Sequence, residues 1–244
     1  MAKAEIMTVI ENTPLTKDTY RLRLKSDQPV QVRCGQFLNL KIPGKALRRP
    51  ISVTSWKDDE IELTYRVVGE GTRILTQCRD TLDVINECGN GFDLTKFDKE
   101  VLLIGGGIGT APLIACAEEA LRQGLQVKVV FGYQNRSQTL FQEFFREKGI
   151  HAEYVYDEDG ENVVTRIRDL GLEKMDFLAC GPVRMMQAVD GIMEGYGQFS
   201  LETRMGCGFG ACMGCSVRLK DRMARICKEG PVFEKGEIVW QNLL

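Results

Sequence analysis

At 244 residues, with 43% hydrophobic and 27% charged residues, the chain has the composition of a soluble globular protein long enough for two or three small domains. A formal net charge of −2 with acids and bases interspersed excludes a dedicated nucleic-acid or anionic-membrane surface, and the single histidine excludes histidine-ligated metal centres and most catalytic triads. With no basic-then-apolar N-terminal pattern and no apolar run of membrane length, the nine cysteines are expected to be reduced thiols in a cytoplasmic protein rather than a disulfide framework.

The first part of the chain reads as β. In "TYRLRLKS", Tyr20, Leu22 and Leu24 alternate with Arg21, Arg23 and Lys25; in "IELTYRVV", Ile61, Leu63, Tyr65 and Val67 alternate with Glu62, Thr64 and Arg66. Such alternation marks strands with one wet face, and with "CGQFLNLKIPG" and its Pro-Gly turn it predicts an antiparallel barrel or sandwich over residues 1–98. The pattern changes at "VLLI" (101–104), a continuous apolar run expected of a parallel strand covered on both faces. A helix with a buried face of Leu113, Ile114, Ala117 and Leu121 is expected next, closed by Gly124. Strands "VKVVFGY", "AEYVYD" and "DFLAC" then alternate with helices "LFQEFFREKG", "NVVTRIRDLG" and "VRMMQAVDGIMEGYG", predicting a doubly wound α/β sheet over 99–200. His151, at a helix-to-strand turn, is expected on the surface. Residues 201–244 are rich in Gly and Cys and read as a small third module.

Several places carry chemistry. Gly105, Gly106, Gly107, Gly109 and Thr110 lie between the first buried strand and its helix, where backbone N–H groups can cradle a phosphate. Cys180, Gly181 and Pro182 close the strand "DFLAC" and are expected to face the same crevice, at the carboxyl ends of the strands. No acid closes "FGYQNRS", which offers Gln134, Asn135 and Arg136, so NAD and NADP both remain open. In the barrel, "LRRPIS" sets Arg49 before a proline-stiffened strand with Ser52, and "YRVVGEGT" (Tyr65, Arg66 and Val67, then Gly71 and Thr72) precedes a short helix, a second place for an anion.

In this order, "RRPIS", "GEGT", "GGGIGTAPL" and "CGP" resemble the ferredoxin–NADP reductase superfamily over roughly residues 1–200. The resemblance implies FAD held by Arg49, Pro50, Ile51 and Ser52, by Tyr65, Arg66 and Val67, and by Gly71 and Thr72. It implies a nicotinamide nucleotide against Gly105 to Thr110 and Cys180 to Pro182. Many members carry a tyrosine where this chain has Ile51, so a ring stacked on the flavin from that position is not expected here.

The remaining signal is "MGCGFGACMGC". Cys207, Cys212 and Cys215 are spaced C-x4-C-x2-C, with Cys227 eleven residues on, the spacing of plant-type 2Fe–2S sites; the interleaved glycines let the loop wrap and turn N–H groups toward sulfur. Four cysteines would also satisfy structural zinc, although zinc ligands usually come as two close pairs. The five scattered cysteines (Cys34, Cys78, Cys88, Cys116 and Cys180) are expected to be small hydrophobes. A cluster moves one electron and a nicotinamide a hydride; a flavin deals with both, so the three sites form a coherent chain in which the protein supplies position and electrostatics.

"SLETRMGCGFGACMGC" and "ICKEGPVF" closely resemble the cluster segment of electron-transfer subunits of NAD-linked, two-subunit dihydroorotate dehydrogenases. That resemblance implies a partner subunit carrying FMN and oxidising dihydroorotate, two copies of each subunit, and electrons passing through the cluster and FAD to NAD in pyrimidine biosynthesis. Two rival readings stay open at this level. One is the equivalent subunit of a hydrogenase, sulfide-linked reductase or transhydrogenase; the other is a zinc-bearing regulatory protein with a vestigial nucleotide fold.

Overall fold

A computed structural model describes residues 3–243. Strands β1 (Lys3–Pro14), β2 (Thr19–Lys25), β3 (Phe37–Leu40), β4 (Arg49–Lys57), β5 (Glu60–Arg66) and β6 (Thr81–Cys88) close into an antiparallel barrel in the order β1-β2-β5-β4-β3-β6. The alternation read in the sequence drives the closure. Leu22 and Leu24 of β2 and Ile61, Leu63 and Tyr65 of β5 point inward with Leu38, Leu40, Val53 and Val84. Each such side chain contributes about 1.5–3 kcal/mol on burial. Outside, Arg21 and Arg23 pair with Glu11 and Arg23 with Glu60, tying neighbouring strands at the surface. One short helix, α1 (Glu70–Leu75), links β5 to β6.

The second half alternates β7 (Glu100–Gly106), α2 (Ala111–Arg122), β8 (Gln126–Tyr133), α3 (Gln142–Glu147), β9 (Ala152–Tyr156), α4 (Val163–Asp169), β10 (Phe177–Cys180), α5 (Val183–Ile192) and β11 (Gly197–Ser200). These strands are parallel, with Leu102 and Ile104 of β7 packed toward α4 and α5 and Val101 and Leu103 toward α2 and α3. Helices therefore cover both faces, as the unbroken apolar run requires. On α2, Leu113, Ile114 and Ala117 are buried as expected, but Leu121 is 37% exposed; Ala120, one residue earlier in the turn, takes the inward position.

The tail adds a hairpin, β12 (Ser216–Arg218) with β13 (Met223–Arg225), and then β14 (Val232–Glu234). The last strand pairs antiparallel with β11 and completes the order β14-β11-β10-β7-β8-β9. The short strands β11 and β14 carry no alternation signal in the sequence. Gln198 of β11 exchanges two hydrogen bonds with the backbone of Asp93, and Asn90 two with Val232, so barrel exit, sheet and tail are stitched together. No helix among the described residues is long and apolar enough to cross a membrane.

Candidate functional site

The barrel residues converge where β4 starts and α1 begins. Arg48 is committed to structure: its guanidinium binds both carboxylate oxygens of Asp83 at 2.8 and 2.9 Å and two backbone carbonyls. Arg49, by contrast, pairs with no carboxylate among the described residues; it donates to the carbonyls of Leu47 and Arg48. Its guanidinium lies against Gly71 so closely that a Cβ there would stand 2.6 Å from Nε. An arginine without a carboxylate partner, held at the first turn of a helix, suits a pyrophosphate. Thr72 turns its hydroxyl back to accept from the N–H groups of Val68 and Gly69 at 3.0 and 3.2 Å, which shapes the turn.

Ile51 and Ser52 stand half-buried on β4, opposite Leu38 and Phe37, beside Pro50. Tyr65 is buried, stacks on Tyr20 and donates to Asn12, whose amide donates to Leu75 of α1; its ring shapes the site and only its backbone can face a ligand. Arg66 pairs with Asp18 at 3.2 Å, and Val67 follows half-buried beyond the strand end.

The glycine loop and the Cys180 loop meet as the sequence predicts. β7 and β10 are neighbours, with Gly105 opposite Cys180. A Cβ on Gly109 would lie 2.7 Å from the Cys180 carbonyl oxygen and the Gly181 nitrogen, and one on Gly106 would meet Met185 and Pro182. Their smallness thus lets the two loops close on each other, and Gly107, at φ +54° with open space beside it, is left to present backbone outward. Thr110 is fully buried; its hydroxyl accepts from Tyr133 at 3.1 Å and donates to the Gly107 carbonyl at 2.8 Å, so it braces the turn from behind. Burial, with Glu202 nearby, pushes the Cys180 thiol up to about 12. The glycine turn also packs on β5, bringing the crevice up to the barrel.

The four tail cysteines form two pairs. Cys215 and Cys227 are buried with sulfurs 3.2 Å apart. Cys207 and Cys212 stand at the surface end, where the N–H groups of Ala211 and Cys212 point at the Cys207 sulfur at 3.2 and 3.4 Å, and those of Cys207 and Gly214 at the Cys212 sulfur. Desolvation would raise the Cys207 thiol, but the N–H groups of Phe209, Cys212 and Ala211 outweigh it and hold it down to about 6. Burial and the neighbouring Cys215 raise Cys227 to about 12. No three Cys, His, Asp or Glu side chains among the described residues gather around a single ion position. Two thiol pairs ringed by N–H donors fit a cluster of two irons with two ligands each.

The loop is held from both sides. Arg225, paired with Glu229, donates to the Gly210 carbonyl at 2.6 Å, and Asn39 of β3 donates to the Cys207 carbonyl at 2.9 Å. Asn39 lies directly opposite Pro50, so the cysteine loop touches the strand beside the Arg49–Ser52 strand. Sequence reading missed Asn39, Arg225 and Tyr133, because nothing local marks a residue whose partner lies elsewhere in the chain. The scattered Cys34, Cys88 and Cys116 are buried as expected, Cys78 and Cys180 partly so, and His151 is exposed.

Barrel, glycine crevice and paired thiols define the class: NAD-binding iron–sulfur oxidoreductases on the ferredoxin–NADP reductase fold. Residues 202–239 match the family described as the iron-sulfur cluster binding domain of dihydroorotate dehydrogenase B, and residues 103–191 match the oxidoreductase NAD-binding domain. The chain is 34% identical to the dihydroorotate dehydrogenase B (NAD(+)) electron transfer subunit of Streptococcus mutans, over 98% of this chain and 99% of that one. It is 33% identical to that of Fusobacterium nucleatum, over 97% and 98% of the two chains. It belongs to the family of dihydroorotate dehydrogenase B electron transfer subunits. Among solved structures, an NADH-dependent reduced ferredoxin-NADP oxidoreductase superposes with a TM-score of 0.86 at 24% identity, covering 100% of this chain and 93% of that one. The ferredoxin-NADP+ reductase of Plasmodium falciparum does so with 0.67 at 12% identity, over 79% and 91%. Both share the fold.

Proposed function

We propose that this chain is the electron-transfer half of a two-subunit dihydroorotate dehydrogenase, taking electrons from an FMN-bearing partner that oxidises dihydroorotate and delivering them to NAD in the cytoplasm, in an assembly of two copies of each subunit. The observation that carries the reading is the Asn39 contact, which sets the cysteine loop one strand from the Arg49–Ser52 strand while the glycine turn abuts β5 of the same barrel. When bound, FAD and a 2Fe–2S cluster supply the exchange between one-electron and hydride chemistry that side chains lack.

Everything else falls to the chain. Arg49 and the turn at Gly71 and Thr72 hold the pyrophosphate of FAD, and Pro50, Ile51 and Ser52 line the flavin ring with the backbone of Tyr65, Arg66 and Val67. Cys207 and Cys212 ligate one iron, Cys215 and Cys227 the other. Gly105 to Thr110 and Cys180 to Pro182 frame the nicotinamide nucleotide. The barrel (1–98), the α/β sheet (99–200) and the tail (201–244) each contribute one cofactor site. Phe209 and Met213, both at least half exposed and interleaved with the cysteines of the loop, form the face that meets the partner.

The test is an absorption and EPR spectrum of the purified chain, oxidised and then reduced with dithionite under argon. Flavin bands and a rhombic signal on reduction are expected. With the FMN subunit added, dihydroorotate should then reduce NAD. A colourless zinc protein overturns the cofactor assignment; a coloured chain that no dihydroorotate-oxidising partner can reduce favours the equivalent subunit of another oxidoreductase.

A further inference from the structure

The carboxyl ends of β8 and β9 carry an ion-pair cluster that the cofactor sites do not use. Arg136 sits just beyond β8, and its guanidinium is held in a fork by Asp159, at 2.9 Å from Nη1 and 2.7 Å from Nη2. Nη1 also reaches Glu158 Oε1 at 3.1 Å, and the same oxygen accepts the Arg136 backbone N–H at 2.9 Å. The guanidinium carbon lies 4.6 Å from the centre of the Tyr156 ring, a cation–π contact that fixes the arginine from a third side. Both acids belong to the single turn Asp157–Asp159 that follows β9.

The position of this cluster gives it a consequence. β8 neighbours β7 with Gly132 opposite Gly106, so Arg136 stands one strand across from the glycine turn. When a pyrophosphate occupies the first strand–helix turn of such a sheet, the adenosine ribose lies toward the end of the next strand. There an acid accepts the 2′-hydroxyl, or an arginine takes a 2′-phosphate. This chain has an arginine where a 2′-phosphate could be taken, but its donors are filled by carboxylates. Against its one positive charge stand Asp157, Glu158 and Asp159. A 2′-phosphate would bring a further −1.5 to −2, roughly, and would have to displace two carboxylates to reach the donors.

We propose that the Glu158–Asp159 clamp on Arg136 is the specificity device that excludes the 2′-phosphorylated dinucleotide, so that NAD rather than NADP is accepted. The proposal rests on the crevice being the nucleotide site. The hydrogen bond from Arg136 holds the Asp159 carboxyl below its usual range, so that carboxylate keeps its charge throughout the neutral range. Because the Arg136 side chain is 61% exposed, salt screens the cluster, and the discrimination is a moderate one that shrinks at high ionic strength.

The test is isothermal titration of the oxidised holo-protein with NAD+ and with NADP+, which differ only in the 2′-phosphate. Wild type is expected to bind NAD+ the tighter. E158Q/D159N should narrow the ratio of the two dissociation constants by about tenfold through tighter NADP+ binding, D159N alone by less, and adding R136A should abolish the gain. NAD+ affinity within about twofold of wild type certifies an intact crevice in each variant. A ratio unmoved in E158Q/D159N, or a gain that survives R136A, overturns the clamp while leaving the crevice assigned. Failure of wild type to bind NAD+ overturns the crevice and the clamp together.

Discussion

Asn39 joins three parts of the site through one residue. Its side chain donates to the Cys207 carbonyl, its own carbonyl accepts from Arg48, and its backbone faces Pro50. It is buried, so N39A leaves the Cys207 carbonyl without its donor and the cluster loop without its barrel tether. The expected outcome is a severalfold faster bleaching of cluster absorbance by a chelator, with flavin retention unchanged. Gly109 makes the complementary case: in G109A the new methyl meets backbone atoms of Cys180 and Gly181 that cannot swing aside, and the two loops must part. NAD+ affinity should fall by about tenfold or more in a binding titration while the visible spectrum is kept. The sequence reads these glycines as a phosphate loop, and the structure adds a packing reason that it could not show. A Cβ on Gly106 or Gly109 would strike the opposing loop, and the Thr110 hydroxyl braces the turn from behind. Which neighbour a missing Cβ spares depends on strand order, and no local pattern encodes that.

At the level of elements, the period-two strands and the unbroken run of β7 were readable because each repeats its signal over several residues. β11 and β14 have four and three residues, too few for any periodicity to stand out, and so the sheet looked complete without them. Helix α2 meets the barrel through a contact with its own pH dependence. Burial, reinforced by Glu62 across the gap, raises the Glu118 carboxyl above its ordinary value of 4.5, against the pull of Lys148 and Arg122. A raised carboxyl costs the fold nothing while protonated in both states, and costs most once pH exceeds the folded value. E118Q should therefore melt together with wild type near pH 4 and above it by a few degrees or less at pH 7.5, the gap widening as pH rises. Thermal melts across that range check the sign; a gap that narrows refutes it. Phe233 of β14 packs on the core beside Phe199 and Trp240, and F233A should cost about 3–5 kcal/mol in denaturant unfolding.

Over the whole molecule, the three sites surround one barrel wall. The cysteine spacing made the cluster legible from sequence alone, because ligand chemistry fixes it. The division into two thiol pairs, one buried and one at the surface, needed the folded loop. C212S removes a sulfur from the outer pair only. Cluster absorbance and the low-temperature EPR signal should vanish, while NADH still reduces the flavin at a rate within about threefold of wild type and transfer from the partner is lost. Retained partner-driven turnover in C212S would refute the route through the cysteine loop.

The placement of β14 also sets an order of events at the ribosome. When Ser200 has emerged, β11 is the edge of the sheet, with a row of backbone groups that only residues 232–234 will pair. The thiol-bearing loop leaves the tunnel between those two moments. Metal loading and sealing of the nucleotide sheet thus both wait on the emergence of residues 201–234, and a nascent chain halted before that point exposes an open strand and loose thiols to whatever chaperone or assembly factor reaches them first.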